Sequence, residues 1–186
     1  RRGNALAVLQ DVIAETGADT VYWSRQYDVT AKDRDVPLKA ALKEQGITVE
    51  SFTGHLLFEP WTVATKTGGF YKVYTPMWRM VRDRDVPAPL PRPAKVPAPD
   101  VWPAGDAGSE WRLDADMRRG AEVVRAHCEV GEAAAYDRLA AFIDQDVAHY
   151  QSRRDLPAVK GTSGLSENLT YGEISPATCW HAGWAA

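Results

Sequence analysis

Between Pro87 and Pro103 the chain carries seven prolines in seventeen residues. Each proline removes a backbone donor and fixes φ, so this stretch excludes helix and central strand and favours an extended, semi-rigid connection. Whatever folds must therefore fold on either side of it. A length of 186 residues allows one ordinary domain or two small ones. Hydrophobic residues at 45% and charged residues at 25% are normal for a globular protein. The net charge of -3 supplies no global attraction for nucleic acid. Two cysteines, Cys128 and Cys179, lack metal-ligand spacing and fit free thiols in a reducing compartment. No membrane-length apolar run and no signal-peptide pattern is present, so a cytoplasmic location is expected.

On the amino-terminal side the periodicity is clear. Leu6, Leu9, Val12 and Ile13 make a helical stripe from Asn4 to Glu15, with Asn4 as N-cap and Gly17 closing the helix. Thr20 to Trp23 reads as a short buried strand. Ala31 to Gln45 reads as a second helix, with Val36, Leu38, Ala41 and Leu42 apolar and Gly46 at its end. Ile47 to Phe52 alternates as a second strand. Strand, helix and strand of these lengths require a parallel pair joined by a right-handed crossover. The ligand site of such an open α/β sheet lies beyond the carboxyl ends of its strands. Gly68-Gly69 marks a turn in a less regular stretch. Residues 116–130 read equally as loop or broken helix.

Periodicity returns at Glu132. Ala135, Leu139, Phe142, Ile143, Val147 and Tyr150 keep helical spacing through about five turns. Ser175-Pro176 is an N-cap followed by proline at the first helical position, which starts a helix running to Trp184. Between these helices lies Lys160-Gly-Thr-Ser-Gly-Leu-Ser166, then Tyr171-Gly-Glu-Ile-Ser-Pro176. Glycines allow close backbone approach, and Thr162, Ser163 and Ser166 add three hydroxyl donors. Converging amides in such a loop hold a phosphate or diphosphate without a metal. An ordinary polar turn has the same composition. His55, His127, His149 and His181 suggest no metal site or catalytic triad.

The string Tyr150…Arg154-Asp155-Leu-Pro157…Gly161-Thr-Ser-Gly-Leu-Ser166…Tyr171-Gly-Glu-Ile-Ser-Pro176 closely resembles the start of the flavin-binding domain of DNA photolyases and cryptochromes. Ala18 to Arg25, Tyr27-Asp28, Arg34-Asp35, Gly46-Ile47 and Val73-Tyr-Thr-Pro-Met-Trp-Arg79 follow that family's order and spacing. The resemblance implies an α/β class, a partial open parallel sheet of Rossmann-like type, followed by a Pro-rich linker and the beginning of an all-α domain. It divides the chain into a partial antenna-type domain (1–80), an interdomain linker (81–130) and the start of a helical FAD-binding domain (131–186).

It also implies FAD as cofactor, contacted by Tyr150, Thr162, Ser163, Gly164, Leu165 and Ser166. Most members carry Arg or another side chain where this chain has Gly164, which removes a side-chain contact and leaves the amides. The residue matching Arg154 faces damaged DNA in that family, while a helix C-terminal Arg compensating the dipole is the local alternative. Arg153 shares that alternative. Folate-binding members show an Asn-Glu pair where this chain has Thr30-Ala31, so a deazaflavin or other antenna is expected before folate. None of the seven tryptophans is assigned to electron transfer.

The activity implied is light-driven repair of pyrimidine dimers in DNA by electron transfer from reduced FAD, with a cryptochrome-type photoreceptor as the alternative. A nucleotide-binding module joined to an unrelated helical domain is the reading outside the flavin class. Since the chain opens on Arg1-Arg2-Gly3 and stops at Trp184-Ala-Ala186, it reads as a piece of that fold. Such a piece is expected to leave apolar faces uncovered, to self-associate or be disordered near Pro87 to Gly120, and to hold FAD weakly on its own. No catalytic residue is placed within it.

Overall fold

The computed structural model describes residues 1–186. The chain forms two contact units, Arg1–Gly54 with Arg92–His127, and His55–Pro91 with Cys128–Ala186. Each unit is thus discontinuous in sequence. Residues 55–80, grouped with the α/β part by the sequence, pack within the second unit.

In the first unit, helix α1 spans Ala5–Thr16, and Asn4 Oδ1 accepts from the Leu6 and Ala7 amides at 3.0 and 3.3 Å. Strand β1 (Thr20–Ser24) pairs in parallel with β2 (Thr48–Phe52), Thr20 opposite Thr48 and Ser24 opposite Phe52. Helix α2, Val29–Glu44, makes the crossover and begins two residues before Ala31. Asp28 Oδ1 accepts from the Ala31 amide at 2.8 Å, and this cap sets the earlier start.

The end of α2 is a Schellman turn. Gly46 sits at φ 81° and its N–H reaches the Lys43 carbonyl at 3.0 Å, while Ile47 reaches Leu42 at 3.1 Å. Pro37 lies inside α2, where it leaves the Asp33 carbonyl without a helical partner. Val36 lies beside it and is 67% exposed, so the apolar stripe expected of α2 narrows to Leu38 and Leu42. These pack with Val49, Leu6, Leu9, Ile13, Trp23 and Ile47 into one core. Tyr22 and Phe52 meet edge to face at 5.6 Å on the other side of the sheet, and both are exposed.

Residues 92–107 contain no helix or strand, as the proline spacing requires. They are tied back at Arg1, whose Nε donates to the Ala104 carbonyl at 2.7 Å, and at the Arg2 amide, which donates to Asp106 Oδ2 at 2.8 Å. Within 116–130, helix α4 covers Arg119–Arg125.

The second unit is helical. Helix α3 (Tyr74–Val81) tolerates Pro76 because it falls in the first turn. Helix α5 covers Glu132–Gln145, then α6 covers Tyr150–Arg153 after a 3-10 turn at Val147–His149. The single five-turn helix expected over 132–150 is therefore broken at Asp146, which leaves helical geometry at φ -121°. Arg153 Nη1 lies 3.6 Å from Asp146 Oδ1 and ties the two sides of the break together. Helix α7 spans Ser166–Thr170 and α8 spans Pro176–Ala185. Ser175 Oγ caps α8 by accepting from the Thr178 amide at 3.0 Å. Ala135 and Leu139 of α5, Leu165 and Ile174 form the core, with Ile143, Leu169, Cys179 and Ala182 packed on it. No helix is long and apolar enough to cross a membrane.

Candidate functional site

The loop from Gly161 to Ser166 is fixed by two unlike contacts. A Cβ at Gly161 would stand 2.7, 2.8 and 2.9 Å from Arg153 Cβ, O and C, so the loop backbone lies directly on the end of α6 and only glycine fits. Four residues on, Leu165 is 3% exposed within the helical core. Leu165, expected as a cofactor contact, is thus a packing anchor; its amide has no acceptor in the chain, but the residue as a whole is buried.

The polar atoms of this loop are sorted by kind. The Gly164 carbonyl accepts from Arg138 Nη1 at 3.3 Å, that of Leu165 from the Leu169 amide at 2.9 Å, and that of Ser166 from Thr170 Oγ1 at 2.7 Å. The amides of Thr162, Ser163, Gly164, Leu165 and Ser166 donate to no acceptor in the chain, and the hydroxyls of Thr162, Ser163 and Ser166 are equally unengaged. From Gly164 to Ser166 the carbonyls are satisfied inside while the amides are left open. Such a surface suits an anion and repels nothing negative. Thr162, Gly164 and Ser166 are exposed and Ser163 is half-buried, so the donors are accessible. Gly164 adopts φ 62°, a left-handed turn that turns the chain back toward α7.

Tyr150 opens α6 and is 39% exposed, its ring edge-on to Phe142 at 6.0 Å. The Arg154 guanidinium lies over that ring at 5.4 Å and only loosely pairs with Asp155 at 3.3 Å. Its side chain is 51% exposed. Arg153 differs: its partner is Asp146, a structural tie.

Four polar residues behind the loop were not singled out from the sequence. Arg138 Nη1 donates to Glu167 Oε1 at 2.8 Å and to Asn168 Oδ1. Asn168 is fully buried, and its Nδ2 donates to Glu173 Oε2 at 2.7 Å. A signal existed: Arg138 falls at the helical spacing of Ala135 and Phe142, a charge on an apolar stripe. Cys128 Sγ reaches Glu167 Oε2 at 3.6 Å. Its thiol is pushed above the ordinary value, first by loss of solvation and then by the Glu167 charge. Burial likewise raises Cys179. Neither is a poised thiolate.

In the first unit an open cleft of about 810 Å³ runs along β1 from Val21 past its carboxyl end to Thr30 and Ala31, walled also by Leu9 of α1 and by Arg34 and Leu38 of α2. Its part beyond that carboxyl end is the position that an open parallel sheet offers a ligand.

Comparison with known proteins converges on one family. A family model described as DNA photolyase matches residues 1–97. A deoxyribodipyrimidine photo-lyase of Agrobacterium fabrum is 46% identical over 97% of this chain. Cryptochrome-1 of Arabidopsis thaliana is 30% identical over 97% of it. A crystal structure of a bacterial class III photolyase from Agrobacterium tumefaciens superposes with a TM-score of 0.85 at 44% identity, covering 97% of this chain. The chain spans 38% of the Agrobacterium fabrum relative and of the class III structure, and 27% of the cryptochrome. With its parallel α/β start, its helical continuation and this donor-lined loop, the chain belongs to the DNA photolyase and cryptochrome family.

Proposed function

We propose that the chain is part of a cytoplasmic photolyase that repairs cyclobutane pyrimidine dimers in DNA under blue light. The observation that carries this reading is the loop at 162–166, whose amides and hydroxyls are unengaged while the carbonyls of Gly164, Leu165 and Ser166 are paired. Those residues fit the diphosphate of FAD: unengaged amides and three hydroxyls lie within one five-residue loop, and such donors hold an anion without a metal. Thr162, Ser163, Gly164, Leu165 and Ser166 would hold the diphosphate end, Leu165 through its amide alone, and Tyr150 would pack beside the cofactor. When bound, reduced FAD supplies the light-driven electron that opens the dimer. The chain's own task is to bind, orient and shield.

Arg154 would face the lesion-bearing strand. Its guanidinium is exposed and held over Tyr150, so it can meet a phosphate without first breaking a tight ion pair. The cleft along β1 would take an antenna chromophore, a deazaflavin or another, since Thr30 and Ala31 offer neither the amide nor the carboxylate expected for folate. The signalling alternative draws on the relative named cryptochrome.

The test uses the full-length protein reconstituted with FAD, reduced and illuminated with an oligonucleotide carrying a cyclobutane dimer. Restored pyrimidines, dependent on light and flavin, support repair. Bound flavin with no repair turns the reading to a photoreceptor, and a protein that takes up no flavin contradicts both.

A further inference from the structure

Arg138 reaches the loop from α5, a helix that contributes nothing else polar to it. One nitrogen, Nη1, serves three acceptors: the Gly164 carbonyl at 3.3 Å, Glu167 Oε1 at 2.8 Å and Asn168 Oδ1. The aliphatic stem fits as well, with Cδ 3.7 Å from where a Cβ on Gly164 would stand. Asn168 passes the contact onward, since its buried amide donates to Glu173 Oε2 and its carbonyl accepts the Glu173 amide at 2.9 Å.

Peptide geometry gives this clamp a consequence. The chain contains no cis peptide, so the Gly164 carbonyl and the Leu165 N–H point in opposite directions from one plane. Drawing that carbonyl toward Arg138 therefore aims the Leu165 N–H away from α5, on the side where no protein acceptor lies. Charge acts in the same sense. Arg138 is the cation set among Glu167 and, through Asn168, Glu173. Without it, the Glu167 carboxylate would stand uncompensated beside a loop that has to accept an anion.

We infer that Arg138 is a positioning residue of the flavin-phosphate site: it sets the Gly164–Leu165 peptide plane and compensates the Glu167 carboxylate behind it. The inference rests on the flavin reading given above. It assigns Arg138 no contact with the cofactor; its effect passes through Gly164, Glu167 and Asn168.

Full-length R138M and R138K, with wild type, are titrated as apoproteins with FAD and separately with riboflavin, which lacks the phosphates. Amide exchange is followed in the same apoproteins at Leu169 and Glu173, which donate to the Leu165 and Asn168 carbonyls. R138M is expected to weaken FAD binding roughly 10- to 100-fold, the range for losing hydrogen bonds to a charged group, while riboflavin binding changes little. Exchange at Leu169 and Glu173 is expected to accelerate without any flavin present. R138K keeps the charge on a shorter side chain whose single nitrogen cannot take the place of Nη1 unchanged, so it should fall between the two. Unchanged FAD affinity in folded R138M overturns the inference, as does an equal loss for riboflavin and FAD. Should R138M not fold, R138K decides by the same FAD-to-riboflavin comparison. Wild type that takes up no FAD overturns the flavin reading itself, and this inference with it; wild type that binds while R138M binds equally overturns this inference alone.

Discussion

The starts of α2 and α7 are made from similar small and polar residues, yet they treat their backbone donors differently. At α2, Asp28 turns its carboxylate onto the Ala31 amide, as Asn4 does for α1 and Ser175 for α8. At α7, Leu165 occupies the cap position, and a leucine side chain accepts nothing. It is buried instead, and the amides before it stay open. A capped helix has satisfied its own donors and is finished as structure. An uncapped start that is firmly anchored from behind keeps its donors for something else. Helices α3, α5 and α6 also start without a side-chain cap, so the missing cap alone does not mark the loop before α7; its unengaged amides and hydroxyls do.

Substitution at the anchors should have the largest effect. Gly161→Ala places a methyl group against Arg153 backbone atoms at 2.8 and 2.9 Å, which cannot yield as a side-chain tip can. A loss of about 3 kcal/mol in thermal or denaturant unfolding is expected, together with loss of FAD uptake. Gly164→Ala provides the contrast, because its Cβ has ordinary clearance and only the φ of 62° is penalised. Its cost should be about 1 kcal/mol. Equal destabilisation by the two would show that the loop is not seated on α6.

Next in size is Asn168→Ala, which strips Arg138 and Glu173 of their shared buried partner. Unfolding should become easier by about 2 kcal/mol, and FAD affinity should fall in the same variant. Asp28→Ala removes only a cap, so about 1 kcal/mol of stability should go while FAD affinity holds. A fall in FAD affinity for Asp28→Ala, measured by the same titration, would erase the distinction between capped and uncapped starts.

The smallest expected effect concerns the thiols. A thiol held above its ordinary value is less ionised at a given pH, so Cys128 should be alkylated more slowly than a peptide thiol at about pH 8. Glu167→Gln removes one of the two main causes and should speed Cys128 without changing Cys179. The sign for stability follows. The neutral thiol is favoured in the folded state, so its contribution is complete below the unfolded value of about 8.5 and is lost as pH rises above it.

Much of this was legible because it is local. Asn4 and Ser175 announce their helices by side chains that bond two or three residues away. The Asp28 cap is equally local, yet a helix read from Ala31 misses it and starts α2 two residues late. Gly46 and the strand spacing give the parallel crossover for the same reason. The prolines of residues 87–103 forbid regular structure wherever they fall. The composition of the loop at 162–166 pointed to an anion, and its similarity to a known family suggested the FAD diphosphate as the one to test. What escaped depends on distance along the chain. Arg138 meets Gly164, Glu167 and Asn168 across 26 to 30 residues, and no local rule pairs them. Leu165 looked like part of a binding string because composition does not reveal which way a side chain turns. The break at Asp146 has neither glycine nor proline to mark it, and the apolar spacing continues across it to Tyr150.

Amide exchange of the full-length protein, compared with and without FAD, tests the central claim most directly. Protection should appear on binding at Thr162, Ser163, Gly164, Leu165 and Ser166, while the Ala31 amide capped by Asp28 stays as it was. Tight FAD binding with exchange across 162–166 unchanged would contradict the account.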